Sequence, residues 1–335
     1  MKKWKIWTAV AALTMTAGFS VQAEESQDMM TSYLTGKQVS TEIGSKRPVA
    51  IMFNNIIDAI PQAGIANADV VYEAPVEGGI TRLMGIMEDY EDASRIGSVR
   101  SCRNYYVYYA TEFDAIYSHF GQAVYALDLL ERPEVDNLSG LSDYGSTVYY
   151  RSDDRVAPHN VYTTAERLEQ GIEMCGYDRY YPEDYAGHYQ FAADGEVVDL
   201  AAQGGVTANK VTPGYAFNSP WFEYNAEDGK YYRFQYGDAQ IDELTNEQLS
   251  YDNILIQISH WEPYDENGYL NIDTYTGMDG YYITKGYAIP VTWQKDSEWG
   301  ATRYYDPNGQ EITLNQGKTW VCIVQDTYRD NIVLE

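Results

Sequence analysis

Ten arginines and no lysine lie between Lys46 and Lys210, and three of them fall within nine residues, Arg95-Ile-Gly-Ser-Val-Arg-Ser-Cys-Arg103. The chain as a whole is formally −27, so this guanidinium cluster runs against its own background. A guanidinium offers a planar fork of donors matched to carboxylate or phosphate oxygens, which an ammonium point charge does not. The chemistry implied is the clamping of an anion. With 50 Asp and Glu in the chain, the competing expectation is ordinary internal ion pairing. Arg82, Arg151 and Arg155 lie in the same stretch, and so do His119 and His159, two of only four histidines. Pro158-His159-Asn160 reads as a loop presenting polar groups beside Arg155. The candidate ligand-binding set is therefore Arg82, Arg95, Arg100, Arg103, His119, Arg151, Arg155, His159 and Asn160. For either histidine the competing role is a hydrogen-bonded structural one.

Standard catalytic machinery is missing. The chain has no His-Glu-x-x-His, no Gly-x-Ser-x-Gly and no Walker-type glycine loop. Glu73 and Glu77 are a candidate acid–base pair for hydrolysis, although in so acidic a chain any two carboxylates can be paired on paper. Asp153 and Asp154 are expected to hold the flanking Arg151 and Arg155. Catalytic residues and cofactors stay unassigned, and no metal set is proposed. Cys102, Cys175 and Cys322 are too few and too scattered for a disulfide framework. At most one pair forms, and Cys102 inside the arginine cluster is either a buried thiol or one with a lowered pKa.

The elements that would position these residues come next. Pro48–Phe53, Ala68–Pro75, Ile80–Met87 and Phe113–Phe120 read as strands. Glu77-Gly78-Gly79 is a hairpin signal between the second and third. In Ile80–Met87, alternation puts Ile80, Arg82, Met84 and Ile86 on one face and Thr81, Leu83, Gly85 and Met87 on the other. A helix is expected over Val99–Glu112, capped by Ser98 or Ser101, so that its N-terminal amides and dipole would reinforce the arginines. Further helices are expected over Gln122–Arg132 and Thr164–Met174, the latter ended by Gly176. From Tyr185 onward turns and short β segments dominate, with Asn225–Gly229, Asp265–Gly268 and Asp306–Gly309 as turn signals and Thr319–Gln325 as a last strand. The expected fold class is α+β or α/β. An α/β layered domain at 47–184 carries the arginine cluster, and a mostly β domain follows at 185–335.

Residues 1–23 read as a secretory signal peptide. Lys2, Lys3 and Lys5 precede an uncharged apolar run, Ile6–Phe19, too short to span a bilayer, and Val21-Gln22-Ala23 supplies small residues for cleavage. Residues 24–46 read as a polar tether. No second long apolar stretch suggests a transmembrane segment. The strongly negative charge argues against nucleic acid and anionic membrane surfaces as partners. The 33 tyrosines, many in adjacent pairs, suit half-buried sheet surfaces and can also stack on sugar rings.

One set of motifs is shared with a known family. It comprises Leu34-Thr-Gly36, Arg47-Pro-Val-Ala-Ile-Met52, Ala68-Asp69, Glu73, Glu77-Gly-Gly-Ile-Thr-Arg82 and Arg95–Arg103. His119-Phe-Gly121, Arg151, Arg155-Val-Ala-Pro-His-Asn160, Gly229-Lys-Tyr-Tyr-Arg233, Asp252-Asn253 and Gly317-Lys-Thr-Trp-Val321 complete it. On these the chain resembles the YerB-like lipoproteins of Firmicutes, whose two domains have no assigned function. The resemblance implies an extracytoplasmic, secreted or cell-surface protein. Members are usually anchored through a lipobox cysteine, and no cysteine lies near the expected cleavage site here. The arginine pattern is also similar in outline to the LytR-type wall-polymer ligases, with no motif in common. The leading reading is an exported envelope protein that binds an anionic, phosphorylated or pyrophosphate-linked ligand, lipid or glycan, through the arginines. The alternative is a non-catalytic scaffold whose tyrosine-rich β domain binds glycan or protein.

Overall fold

The structure, a computed structural model, describes Met1 and residues 28–335, so the expected leader and the start of the tether lie outside the described residues. Residues 28–46 are folded. Met29–Thr31 pairs antiparallel with Gln38–Ser40, and a helical turn at Thr41–Gly44 is capped by the Ser40 hydroxyl. Leu34 within it is fully buried, which explains why a polar stretch is not a loose tether.

The main strands in chain order are β1 (Val49–Asn54), β2 (Val70–Pro75), β3 (Thr81–Met87), β4 (Ile116–His119) and β5 (Asn137–Ser139). They continue with β6 (Val206–Thr207), β7 (Lys210–Thr212), β8 (Trp221–Asn225) and β9 (Lys230–Gln235). The rest are β10 (Asn253–Ser259), β11 (Met278–Thr284), β12 (Tyr287–Gln294), β13 (Arg303–Tyr305), β14 (Thr319–Gln325) and β15 (Val333–Leu334). The two longest helices are α1 (Asn104–Thr111) and α2 (Ala165–Cys175).

One sheet of 11 strands runs through both halves of the sequence in the order β6-β12-β11-β10-β14-β2-β3-β1-β4-β5, with β13 beside β12. Strand β14 lies parallel to both β10 and β2, with Val321 opposite Leu255 and Tyr72. The backbone ladder thus passes from one segment into the other without a break. A smaller sheet is built from β15, β7, β8 and β9 with two short edge strands. The fold is α+β.

Strand alternation sorts the core onto two faces. Val49, Ile51, Phe53, Leu83 and Met87 face α2 (Leu168, Ile172) and the smaller sheet (Val211, Phe222, Tyr231). Ala50, Met52, Met84 and Ile86 face the other way, against Tyr105, Tyr106 and Tyr109 of α1. The β3 faces fall as the alternation predicts. Each of these α1 tyrosines is fully buried, so tyrosine serves helix packing here as well as the sheet.

Helix α2 begins where Thr164 accepts a hydrogen bond from the Arg167 N–H and ends at left-handed Gly176, matching the sequence expectation. The β2–β3 turn holds Gly78 and Gly79 at φ near 75° and 73°, a conformation glycine adopts without a Cβ clash. The Asn225–Gly229 turn closes β8 onto β9, and Asp306–Gly309 closes with the Asp306 N–H on the Gln310 carbonyl.

Two helix expectations are corrected. Helix α1 starts at Asn104, with Arg103 extended (φ −125°, ψ 154°) and no side-chain cap. The backbone from Ser98 to Arg100 is already engaged: Val99 bridges Phe53, the Val99 N–H reaches the Val161 carbonyl and the Arg100 N–H reaches the Met52 carbonyl. A segment whose amides pair with distant strands cannot close helical bonds on itself. Gln122–Arg132 likewise shortens to single turns at Val124–Ala126 and Leu127–Leu130, because Cys102 bridges Gln122 and accepts the Ala123 N–H.

Candidate anion crevice

Strands β1 and β4 run parallel and end at Asn54 and His119, and α1 starts beside them. Crevices beyond the carboxyl ends of parallel strands are where layered α/β sheets place ligands. Arg82, early in β3, stands opposite Asn54 in register. Its Nη1 donates to the Ser101 carbonyl at 2.7 Å. The side chain is buried, and no carboxylate lies within ion-pair distance among the described residues. Burial, then the charges of Arg103 and Arg100, push its pKa down to about 10.

Arg100 is the second member. Its Nη1 donates to the Pro158 carbonyl at 3.2 Å, and its Nε is buried with no partner. Burial and the Arg103 charge lower its pKa. The Ser98 hydroxyl, in the same segment, is also buried without a partner. His159 approaches from the opposite loop, its Nδ1 accepting from Asn54 Nδ2 at 2.7 Å. Burial and the Arg100 charge lower its pKa, so the neutral ring carries its proton on Nε2 and can donate from there. Two guanidiniums and an imidazole N–H thus stand around Asn54, all of them donors suited to phosphate or carboxylate oxygens.

The remaining candidates are committed elsewhere. Arg103 flanks the crevice but is held by Glu77 through two bonds of 2.7 and 2.5 Å, which raises its pKa against the pull of burial. Arg95 is forked onto Asp154 at 2.7 and 3.0 Å and lies 3.8 Å over the Tyr162 ring. Arg155 donates to Glu243 at 2.8 Å and to the carbonyls of Ile60 and Pro61 at 3.1 Å. Arg151 is exposed, bonded to Asn160 Oδ1 at 2.8 Å and placed over Phe120. Asn160 in turn donates to the Ser152 carbonyl. His119 is fully buried between the Gly121 carbonyl at 2.9 Å and Asn137 at 3.3 Å, and burial lowers its pKa.

Three further expectations are corrected. Asp154 holds Arg95, and neither Asp153 nor Asp154 pairs with Arg151 or Arg155. Glu73 and Glu77 are not a matched pair: Glu73 is buried against Arg233 and Glu77 is taken by Arg103. Cys102 is a buried thiol whose pKa burial pushes up to about 12, and all three cysteines are free. Asn54 escaped sequence reasoning. The available signal was a pair of asparagines directly after a buried strand. Among the described residues no group of three or more His, Cys, Asp or Glu is arranged to hold a metal ion.

A continuous α+β sheet shared by two consecutive segments defines the class of protein. The family whose models match is "Protein of unknown function (DUF3048)", its N-terminal domain at residues 34–178 and its C-terminal domain at 211–321. A Bacillus subtilis (strain 168) protein named "Putative lipoprotein YerB" is 28% identical over 339 residues, 96% of each chain. The crystal structure of the Bacillus subtilis YerB protein matches with a TM-score of 0.80 at 27% identity, over 91% of this chain and 99% of that one. The chain belongs to this YerB-like family.

Proposed function

We propose that the chain is an extracytoplasmic, envelope-associated protein that binds an anionic ligand, phosphorylated or pyrophosphate-linked, in the crevice around Arg82, Arg100 and His159. The lipoprotein name of the relative and the leader-like start of the sequence support the location. The observation that carries the ligand class is Arg82, a buried guanidinium with no carboxylate in ion-pair reach among the described residues, in a chain that has 50 Asp and Glu. A buried, unpaired cation is costly, and an entering anion offsets that cost. Each guanidinium fork fits two oxygens of one phosphoryl group.

The test is calorimetric titration of the full chain with inorganic pyrophosphate. Arg100→Lys keeps the charge and loses the fork, so it should weaken binding about 10- to 100-fold, the worth of a charge-assisted hydrogen bond. Arg95→Lys, at a side chain already engaged by Asp154, should bind as the parent does. Saturating pyrophosphate at a hundredfold over Kd should stabilise the parent by about 2.7 kcal/mol. Equal affinity in the parent and Arg100→Lys would sink the reading.

A further inference from the structure

A groove lined by none of the candidate arginines lies where the two segments meet. This open groove of about 860 Å³ is bounded on one side by Asn104 and Tyr108 of α1 with Tyr125 and Asp128. The 260–276 and 296–298 stretches form the other side. Tyr125 and Tyr264 are stacked, ring centroids 4.0 Å apart and 9° from parallel, and Tyr264 is 38% exposed. Tyr275 is 47% exposed, and among the described residues no aromatic ring stacks on it. Partly exposed aromatic rings, set among side-chain amides and hydroxyls (Asn104, Asn271, Ser297), supply what a sugar ring requires: apolar surface to stack on and polar groups for its hydroxyls.

The charge of the groove narrows the class. Asp128, Glu262, Asp273, Asp296 and Glu298 line it beside a single histidine, His260, whose ring is held by Asp326 at 2.8 Å, and no Lys, Arg or His among the described residues lies within ion-pair distance of the five. Glu298 accepts from the Tyr108 hydroxyl at 2.6 Å, which fixes that ring at the wall. The nearby Lys295 is buried and spent on Glu112 at 2.8 Å. A neutral sugar offers these carboxylates no counter-charge, whereas an ammonium-bearing sugar pairs with them and can also lie over a tyrosine face.

We infer that this groove binds a glycan segment carrying free amino groups, the stacked tyrosines holding the rings and the carboxylates holding the ammoniums. The inference is independent of the arginine crevice.

The probe is a fully deacetylated chitosan tetramer, titrated into the full chain by calorimetry beside its N-acetylated counterpart. Any polycation is drawn to a chain of −27, so charge attraction alone must be separated from recognition. Tyr275→Ala does this, since it removes an exposed ring and leaves every charge in place. The expected result is one-to-one binding of the deacetylated tetramer, at least tenfold weaker for the acetylated form, tenfold weaker again in Tyr275→Ala, and unchanged in Arg82→Lys. Tyr264→Phe, which keeps the ring and loses only the hydroxyl bonded by Asn104 at 3.0 Å, should retain most of the affinity. Binding that is equal in Tyr275→Ala, equal for the two tetramers, matched by spermine, or absent would overturn the inference.

Discussion

At the scale of single residues, what separates an available arginine from a structural one is the carboxylate within reach. Arg95, Arg103 and Arg155 have Asp154, Glu77 and Glu243, whereas among the described residues Arg82 and Arg100 bond only to backbone carbonyls. None of those carboxylates could be assigned from the sequence, because each comes from a different part of the chain. The same logic of surroundings governs the thiols. Cys102 and Cys322 are fully buried and burial raises both pKa values, while Cys175 near the end of α2 is half-buried. A thiolate is the reactive form, so a folded chain should titrate close to one thiol with Ellman's reagent at pH 8, and three in guanidinium. Rapid reaction of two or three thiols in the folded protein would contradict this placement.

At the scale of elements, the joint between the two segments is made by buried ion pairs as well as by the β14 ladder. Glu73 on β2 accepts from Arg233 of β9 at 2.5 Å, from Thr81 at 2.8 Å and from Asn218 at 2.9 Å. The Arg233 guanidinium is sandwiched between Phe222 at 4.7 Å and Trp320 at 4.4 Å. Glu112, the C-cap of α1, is likewise buried against Lys295, His188 and Thr302. Removing one partner of such a pair leaves an uncompensated charge, so Glu73→Gln and Arg233→Met should each cost roughly 3–5 kcal/mol in urea unfolding, and Glu73→Met/Arg233→Met much less than their sum. Single losses under about 1 kcal/mol would show that the pair holds nothing. This joint was not legible in the sequence, although two of its strands, β2 and β14, were. The β3 faces, α2 with its caps and the Asp306 turn all follow from local periodicity and turn chemistry. The supposed helix at Val99 does not, because that backbone is captured by β1 and by Val161, partners that local pattern cannot see. Asn54 and His159 meet for the same long-range reason, which is why local pattern could not bring them together.

At the scale of the whole molecule, net charge and buried carboxyls make stability depend on pH in the same direction. Asp69 ahead of β2 and Glu88 after β3 lie together, the Glu88 N–H reaching Asp69 Oδ2 at 3.3 Å and the Ser32 hydroxyl donating to Glu88 at 2.5 Å. Burial raises Asp69 to about 6, with Lys318 opposing, and raises Glu88 to about 7, with the Asp69 charge adding to it. A carboxyl with a raised folded-state pKa holds its proton more tightly in the folded chain than in the unfolded one. Its stabilising contribution is complete below the unfolded value near 4 and is lost as pH rises through 6 to 7. For Glu88 that loss is roughly 2–3 kcal/mol. The self-repulsion of a chain at −27 also grows as pH rises, so a fall in stability between pH 5 and pH 8 would not by itself identify the pair. Comparing Glu88→Gln with the surface control Glu227→Gln separates the two causes, since each removes one carboxyl group and only the first removes a buried one. Urea unfolding at pH 5 and pH 8 should show the parent and Glu227→Gln losing stability together, and Glu88→Gln losing about 2 kcal/mol less. An equal loss in all three would assign the whole effect to net charge and leave Glu88 ionised in the folded protein.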